Sequence, residues 1–251
     1  MDSRQLQHVH RPFTRCAFAG YATVTEGAAP SNRGAPGMTV QAPDALAVVD
    51  RVATRLSGRY SSEFSDEFVH DIVLDSLRRY RHLDHPSQHA RALTAQLATD
   101  RLEALRWVEV HRDAPRPPSV LFVCSGNAGR SQLAGAILRA TASPETRVVS
   151  AGDTPSARML PAVIETLDEV GVAVFGEYPK PVVPEFIAAA DHIVVLNCND
   201  SLSALDGHAF RTWSITLEST SGKSGIRHTR DLIASHVREL AVELGITVRP
   251  L

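Results

Sequence analysis

The stretch "VLFVCSGNAGRSQLAGAILRA", Val120 to Ala140, sets a cysteine at the end of an apolar run and an arginine six residues later. A thiolate is the nucleophilic form of cysteine, and a guanidinium fork matches two oxygens of a tetrahedral anion such as phosphate or arsenate. Between Cys124 and Arg130 stand Ser125, Gly126, Asn127, Ala128 and Gly129, the residues of a tight turn with several positive-φ positions. Asn127 tolerates the left-handed region better than most non-glycine residues. Backbone N–H groups from Ser125 to Arg130 would then point inward as an anion nest, reinforced by the dipole of a following helix. That nest would favour the Cys124 thiolate and hold an oxyanion against it, with Ser131 donating its hydroxyl to the sulfur. The Cys-x5-Arg spacing alone is a weak signal; the strand before it, the glycines within it and the helix after it make it specific.

Those flanking elements belong to an alternating pattern. An apolar run at 120–123 precedes a helix from about Ser131 to Ala142, then "RVVSAG" at 147–152 and a helix from Leu160 to Val170. "AAADHIVVLNC" at 188–198, "RTWSITL" at 211–217 and a closing helix from about Arg227 to Leu244 follow. Short apolar strands alternating with helices predict an α/β fold, a doubly wound parallel sheet covered on both faces, over 119–251. Ligands of such sheets bind beyond the carboxyl ends of the strands, where Cys124 stands.

Upstream, residues 1–40 are rich in Gly, Ala, Pro, Ser and Thr without a hydrophobic period, and read as a disordered leader. A secretory signal is set aside because "CAFAGYATV" is short and broken by Gly20 and Thr23; Met38 is a second candidate start, in which case Cys16 is absent from the working protein. Residues 41–110 turn helical. Val69, Ile72, Val73, Ser76 and Tyr80 share one helical face, Ser65 is placed to cap that helix, and Leu93, Leu97, Leu102 and Leu105 mark another segment, as does "DALAVVDRVATRL". Three such helices make a small all-α helical bundle with no chemistry of its own. The proline-rich "HRDAPRPPS" makes 111–118 a linker.

Composition narrows the function classes. The 251 residues carry 26 basic and 28 acidic side chains, which argues against nucleic acid or an anionic membrane as a partner. No apolar run reaches the roughly 18 residues a spanning helix needs. Three widely separated cysteines, Cys16, Cys124 and Cys198, form neither a disulfide scaffold nor metal knuckles, and fit a reducing, cytoplasmic setting. The eleven histidines, including those of "HVH" at 8–10 and "HLDH" at 82–85, are scattered, so no metal is expected. Arg158 and Lys180 are read as solvated surface positions, with a place at the anion site as the alternative.

"CSGNAGRS" resembles the phosphate-binding loop of the low-molecular-weight protein tyrosine phosphatases and of the arsenate reductases that share their fold. The likeness continues through "SAGDTPSARMLPAVIETLDEVGV", "YPKPVVPEFIAAADHIVVL" and "RHTRDLIASHVREL", so it covers roughly 119–244. With a helical domain in front, the chain resembles fused arsenate reductases of actinobacteria. The resemblance implies Cys124 as nucleophile, Arg130 as oxyanion clamp and Ser131 as thiolate stabiliser. It also bears on residue 132, where the phosphatases usually carry Pro and the reductases Gln; Gln132 tilts the reading toward arsenate, unless it is merely a solvated residue of the first helical turn. The family's Asp-Pro pair after the last strand is missing, and Glu218 is the one carboxylate in "TWSITLESTSGKSG" that replaces it, or else a solvated surface glutamate. Thioredoxin-linked relatives carry two further cysteines after the "VVL" strand, whereas Cys198 alone stands there, either as a redox partner of Cys124 or as a buried strand-end residue. No tightly bound cofactor is implied; the resemblance calls for an external thiol reductant, mycothiol or thioredoxin. Arsenate reduction is therefore the expected function, with hydrolysis of phosphate monoesters and non-catalytic oxyanion binding as alternatives.

Overall fold

A computed structural model describes residues 42–80, 88–197, 203–218 and 222–249. By packing the chain divides into two compact units, one ending at Ala95 and the other running from Gln96. The sequence reading sets its boundary at 111–118, while the units meet inside a helix. The leader at 1–40, with Cys16, lies outside the described residues, as does Cys198.

The first unit holds α1 (Ala42–Tyr60), α2 (Asp66–Arg79) and the beginning of α3 (Gln88–Val110). Ser65 is the N-cap of α2, its hydroxyl accepting from Phe68 N at 3.3 Å, with Asp66 and Glu67 in the positive first turn. Val69, Ile72, Val73, Ser76 and Tyr80 are all buried, so the expected face is the core face. Each fully buried apolar side chain contributes about 1.5 to 3 kcal/mol.

The second unit is built on four strands, β1 (Ser119–Cys124), β2 (Arg147–Gly152), β3 (His192–Leu196) and β4 (Arg211–Trp213), parallel throughout in the order β2-β1-β3-β4. From interior β1 the chain moves outward to β2, then returns to β3 on the opposite side. Loops leaving β1 and β3 therefore diverge and open a crevice at their carboxyl ends, at the switch in strand order. Val120, Phe122 and Cys124 join one core with Leu133 and Ile137 of α4 (Arg130–Thr141) and Ile233 and Val237 of α7 (Gly222–Glu243). The alternate residues Leu121, Val123, Ile193 and Val195 are buried too, so both faces of the sheet are covered.

Several boundaries differ from the sequence reading for local reasons. The helix expected from Leu160 to Val170 is α5 (Pro161–Asp168), closed by Gly171 at φ 71 while Val172 N donates back to Leu167 O at 3.0 Å. The strand expected across 211–217 ends at Trp213, where Ile215 N folds back to Trp213 O at 3.0 Å. The closing helix starts at Gly222 because burial of Gly225 and Ile226 outweighs weak glycine propensity. A one-and-a-half-turn helix, α6 (Pro184–Ala188), opens on a proline with its φ preset.

Candidate active site

The loop between β1 and α4 is held from outside by its carbonyls. Cys124 O, Ser125 O, Gly126 O and Ala128 O accept from Asp153 N, Thr154 N, Ser156 N and Leu160 N at 3.2, 2.9, 2.8 and 3.0 Å. Asn127 O accepts from Gln132 Nε2 at 3.1 Å, and Gly129 O from Leu133 N at 2.9 Å. In a trans peptide the C=O and the next N–H point opposite ways, so the amides of Ser125 to Arg130 face the other, concave side. Helix α4 begins without a side-chain cap on Gly129, which leaves its first N–H groups open to an anion.

Only one non-glycine residue of this loop takes a positive φ, Asn127 at 45°, and neither Gly126 nor Gly129 does. The expected run of positive-φ positions is thus corrected: only Asn127 is left-handed, and side-chain ends stand close to both glycines. A Cβ on Gly126 would lie 2.8 Å from Ser156 Oγ, and one on Gly129 2.8 Å from Leu217 Cδ2.

Cys124 is buried, and its Sγ lies 2.9 Å from Ser131 Oγ. The proton direction follows from neighbouring groups. Lys180 N can only donate, and it lies 2.8 Å from Asn127 Oδ1, which fixes the amide so that Nδ2 faces Ser131. Asn127 Nδ2 then donates to Ser131 Oγ at 2.9 Å, and the hydroxyl hydrogen is left for the sulfur. Such a bond stabilises a thiolate more than a thiol.

Arg130 is half-buried, with one guanidinium nitrogen donating to Asn197 O at 3.0 Å. Asn197 is left-handed, at φ 43, and follows β3, so the two strands of the crevice supply the arginine and its brace. Cys198 comes next in the chain. Glu218 is exposed, with its carboxylate 3.8 Å from His228 Nε2 on α7 and its N–H on Thr229 Oγ1. Its neighbour Leu217 is the residue that packs onto Gly129. Arg158 is exposed.

Lys180, expected on the solvated surface, is interior, and so is Gln132, for which a solvated place was only the alternative. Gln132 is fully buried, its Nε2 shared among Asn127 O, Asn127 Oδ1 and Tyr178 O at 3.1, 3.2 and 3.0 Å. Lys180 is 5% exposed, with Nζ 3.6 Å from Glu177 Oε2 and 4.4 Å from the centre of the Tyr178 ring. Sequence periodicity could not reveal either, because both partners come from an irregular segment. Gly152 was missed as well: it ends β2 in register with Cys124, and a Cβ there would meet Asn127 N and Ser125 O at 2.7 Å. A glycine closing an apolar strand was the signal that the sequence offered.

A cysteine at the end of an interior parallel strand, a loop with outward carbonyls and inward amides, and an arginine at the start of the next helix define a class of enzymes that attack tetrahedral oxyanions through a thiolate. Residues 119–248 match the family described as low molecular weight phosphotyrosine protein phosphatase, and the chain belongs to that family. It is an enzyme of the arsenate-reductase or phosphatase type. The thioredoxin-dependent arsenate reductase Cg_ArsC1' of Corynebacterium glutamicum is 31% identical, with a TM-score of 0.68 over 79% of this chain and 97% of its own. An arsenate reductase in a phosphate-binding state is 24% identical, with a TM-score of 0.45 over 51% of this chain and 98% of its own. The arginine phosphatase YwlE of Geobacillus stearothermophilus is 23% identical, with a TM-score of 0.43 over 51% of this chain and 94% of its own. Among the described residues no helix is long and apolar enough to cross a membrane.

Proposed function

We propose that this chain is an arsenate reductase driven by thiols, with Cys124 as its nucleophile. The observation that carries the reading is the 31% identity to a thioredoxin-dependent arsenate reductase along 97% of that protein, which extends well beyond the 119–248 catalytic region. Amides of Ser125, Gly126, Asn127, Ala128, Gly129 and Arg130, with the Arg130 fork, cradle the arsenate oxygens, and Ser131 holds the Cys124 thiolate. The thiolate attacks arsenic and displaces one oxygen, which leaves as water after taking up protons, so that a Cys124 S–As(V) bond forms. A second thiolate then attacks the Cys124 sulfur, the S–As electron pair passes to arsenic, arsenite leaves, and the two sulfurs remain as a disulfide. Arsenic gains the two electrons that the two thiols lose.

Cys198, next after the residue that braces Arg130, or an external thiol provides the second sulfur. The dependence of the Corynebacterium protein on thioredoxin favours a thioredoxin-type dithiol over mycothiol as final reductant. The sequence after β4, "TWSITLESTSGKSG", holds no Asp-Pro pair, and Glu218 is the carboxylate assigned to that proton; a reaction with thiols relies on it less than ester hydrolysis does.

Purified full-length protein, assayed in parallel for arsenite formation with thioredoxin, with mycothiol and their recycling enzymes, and for para-nitrophenyl phosphate hydrolysis, tests the reading. Arsenite with thioredoxin is the expected result. Hydrolysis without arsenite would replace it with the phosphatase alternative, and oxyanion binding without turnover with the non-catalytic one.

A further inference from the structure

The polar chain that ends at Cys124 does not stop at Asn127. It continues through an irregular segment, residues 177–182, to helix α3. Within that segment Pro179 and Pro181 have no N–H, so Lys180 N is the one backbone donor of the three residues, and it goes to Asn127 Oδ1. Tyr178 O accepts from Gln132 Nε2, which also binds Asn127. Further along, Gly152 N donates to Lys180 O at 2.8 Å and Val182 N to Gly152 O at 2.9 Å. Apart from that short bridge beside β2, neither helix nor strand fixes residues 173–180.

The side chains of the segment are anchored on α3. Tyr178 donates its hydroxyl to Asp100 Oδ2 at 2.7 Å, and Lys180 Nζ lies 3.7 Å from the same oxygen. Arg139 and Arg147, both half-buried, also feel the Asp100 charge, so the carboxylate faces the buried Lys180 ammonium with two further cations nearby. Removing it leaves the buried Lys180 ammonium balanced by Glu177 alone among its ion-pair partners, and removes the acceptor that Tyr178 faces.

We infer that Asp100 is a positioning residue for the nucleophile: through Tyr178 and Lys180 it sets the backbone that orients Asn127, and through Asn127 the Ser131 hydroxyl against Cys124 Sγ. This rests on the reading of Cys124 as the reacting thiol.

The test is the rate at which iodoacetamide alkylates Cys124 in full-length protein at neutral pH, followed on the Cys124 peptide by mass spectrometry, beside kcat and KM for arsenate and the melting temperature. Asp100→Ala and Tyr178→Phe should each slow alkylation roughly tenfold and lower kcat in proportion with KM little changed. Asp100→Asn, which keeps an acceptor for Tyr178, should recover most of the rate. The double variant should add little to either single change, because both cut one path. A fall in melting temperature with unchanged alkylation in both single variants would overturn the inference and leave Asp100 a packing residue. Tyr178→Phe, one oxygen smaller, decides the matter if Asp100→Ala does not fold. Failure of the functional reading looks different: wild-type protein would form no arsenite, or Cys124→Ser would keep turnover, while alkylation still answered to Asp100.

Discussion

Gly152 stands so close to Asn127 that a methyl on its Cα would lie 2.7 Å from the Asn127 amide nitrogen. The obstructing atoms are backbone, Ser125 O included, so they cannot rotate away. Gly152→Ala must push the oxyanion loop off its seat while β2, already formed on hydrogen bonds to β1, persists. Displacements of this order cost about 100-fold in rate. Circular dichroism should be unchanged and kcat/KM should fall by roughly that factor; an active Gly152→Ala protein would mean that the loop tolerates the shift.

Ser131 is placed to stabilise the thiolate, since Asn127 occupies its acceptor side. Hydrogen bonds to a charged group are worth about 1.5 to 3 kcal/mol, so Ser131→Ala should lower kcat about 10- to 100-fold. Phosphate affinity, measured by calorimetry in a Cys124→Ser background, should change much less.

Arg130 combines a charge with a fork, and one arm of the fork is engaged by Asn197 O. Arg130→Lys keeps the charge alone. Phosphate or arsenate should bind roughly tenfold or more weakly, with the loss persisting in a Cys124→Ser background where no chemistry follows.

Arg101 on α3 and Glu185 on α6 form a buried pair at 2.7 Å, their side chains 4% and 0% exposed. Breaking one side strands the other charge. Arg101→Met alone should destabilise the chain by about 3 to 5 kcal/mol in denaturant melts, whereas Arg101→Met with Glu185→Leu should restore much of that loss.

Glu169 and Glu243 are exposed, and hydrogen bonds from Arg227 and Arg211 hold both carboxyls below their ordinary value of 4.5. Each favours the folded state fully above that ordinary value, and the contribution is lost as the pH falls through the lowered folded value. The melting-temperature advantage of wild type over Glu169→Gln, present near neutral pH, should therefore shrink in acid and also in high salt. An advantage that persists in strong acid would assign it to something other than this ion pair.

A local pattern, from which the chemistry is proposed, is what the sequence determined. Cys124, the glycines and Arg130 announced an oxyanion loop because a tight turn, a nucleophile and a fixed cation fall within one short stretch. Alternating apolar runs and helices announced the parallel sheet, since its strands are buried on both faces and read as continuous apolar segments. Only the tertiary structure decided which residues serve that loop. Gly126 and Gly129 stand close to the side-chain ends of Ser156 and Leu217, which come from distant segments, and neither takes a positive φ. Lys180 looked solvent-facing, and Gln132 left a solvated alternative open, because nothing local marks a polar side chain whose partners arrive from other segments. No motif or spacing in the sequence singles out Asp100; packing alone sets its carboxylate 2.7 Å from the Tyr178 hydroxyl. Periodicity reports which face of an element is buried, and hydrogen bonds between distant segments depend on how the elements pack.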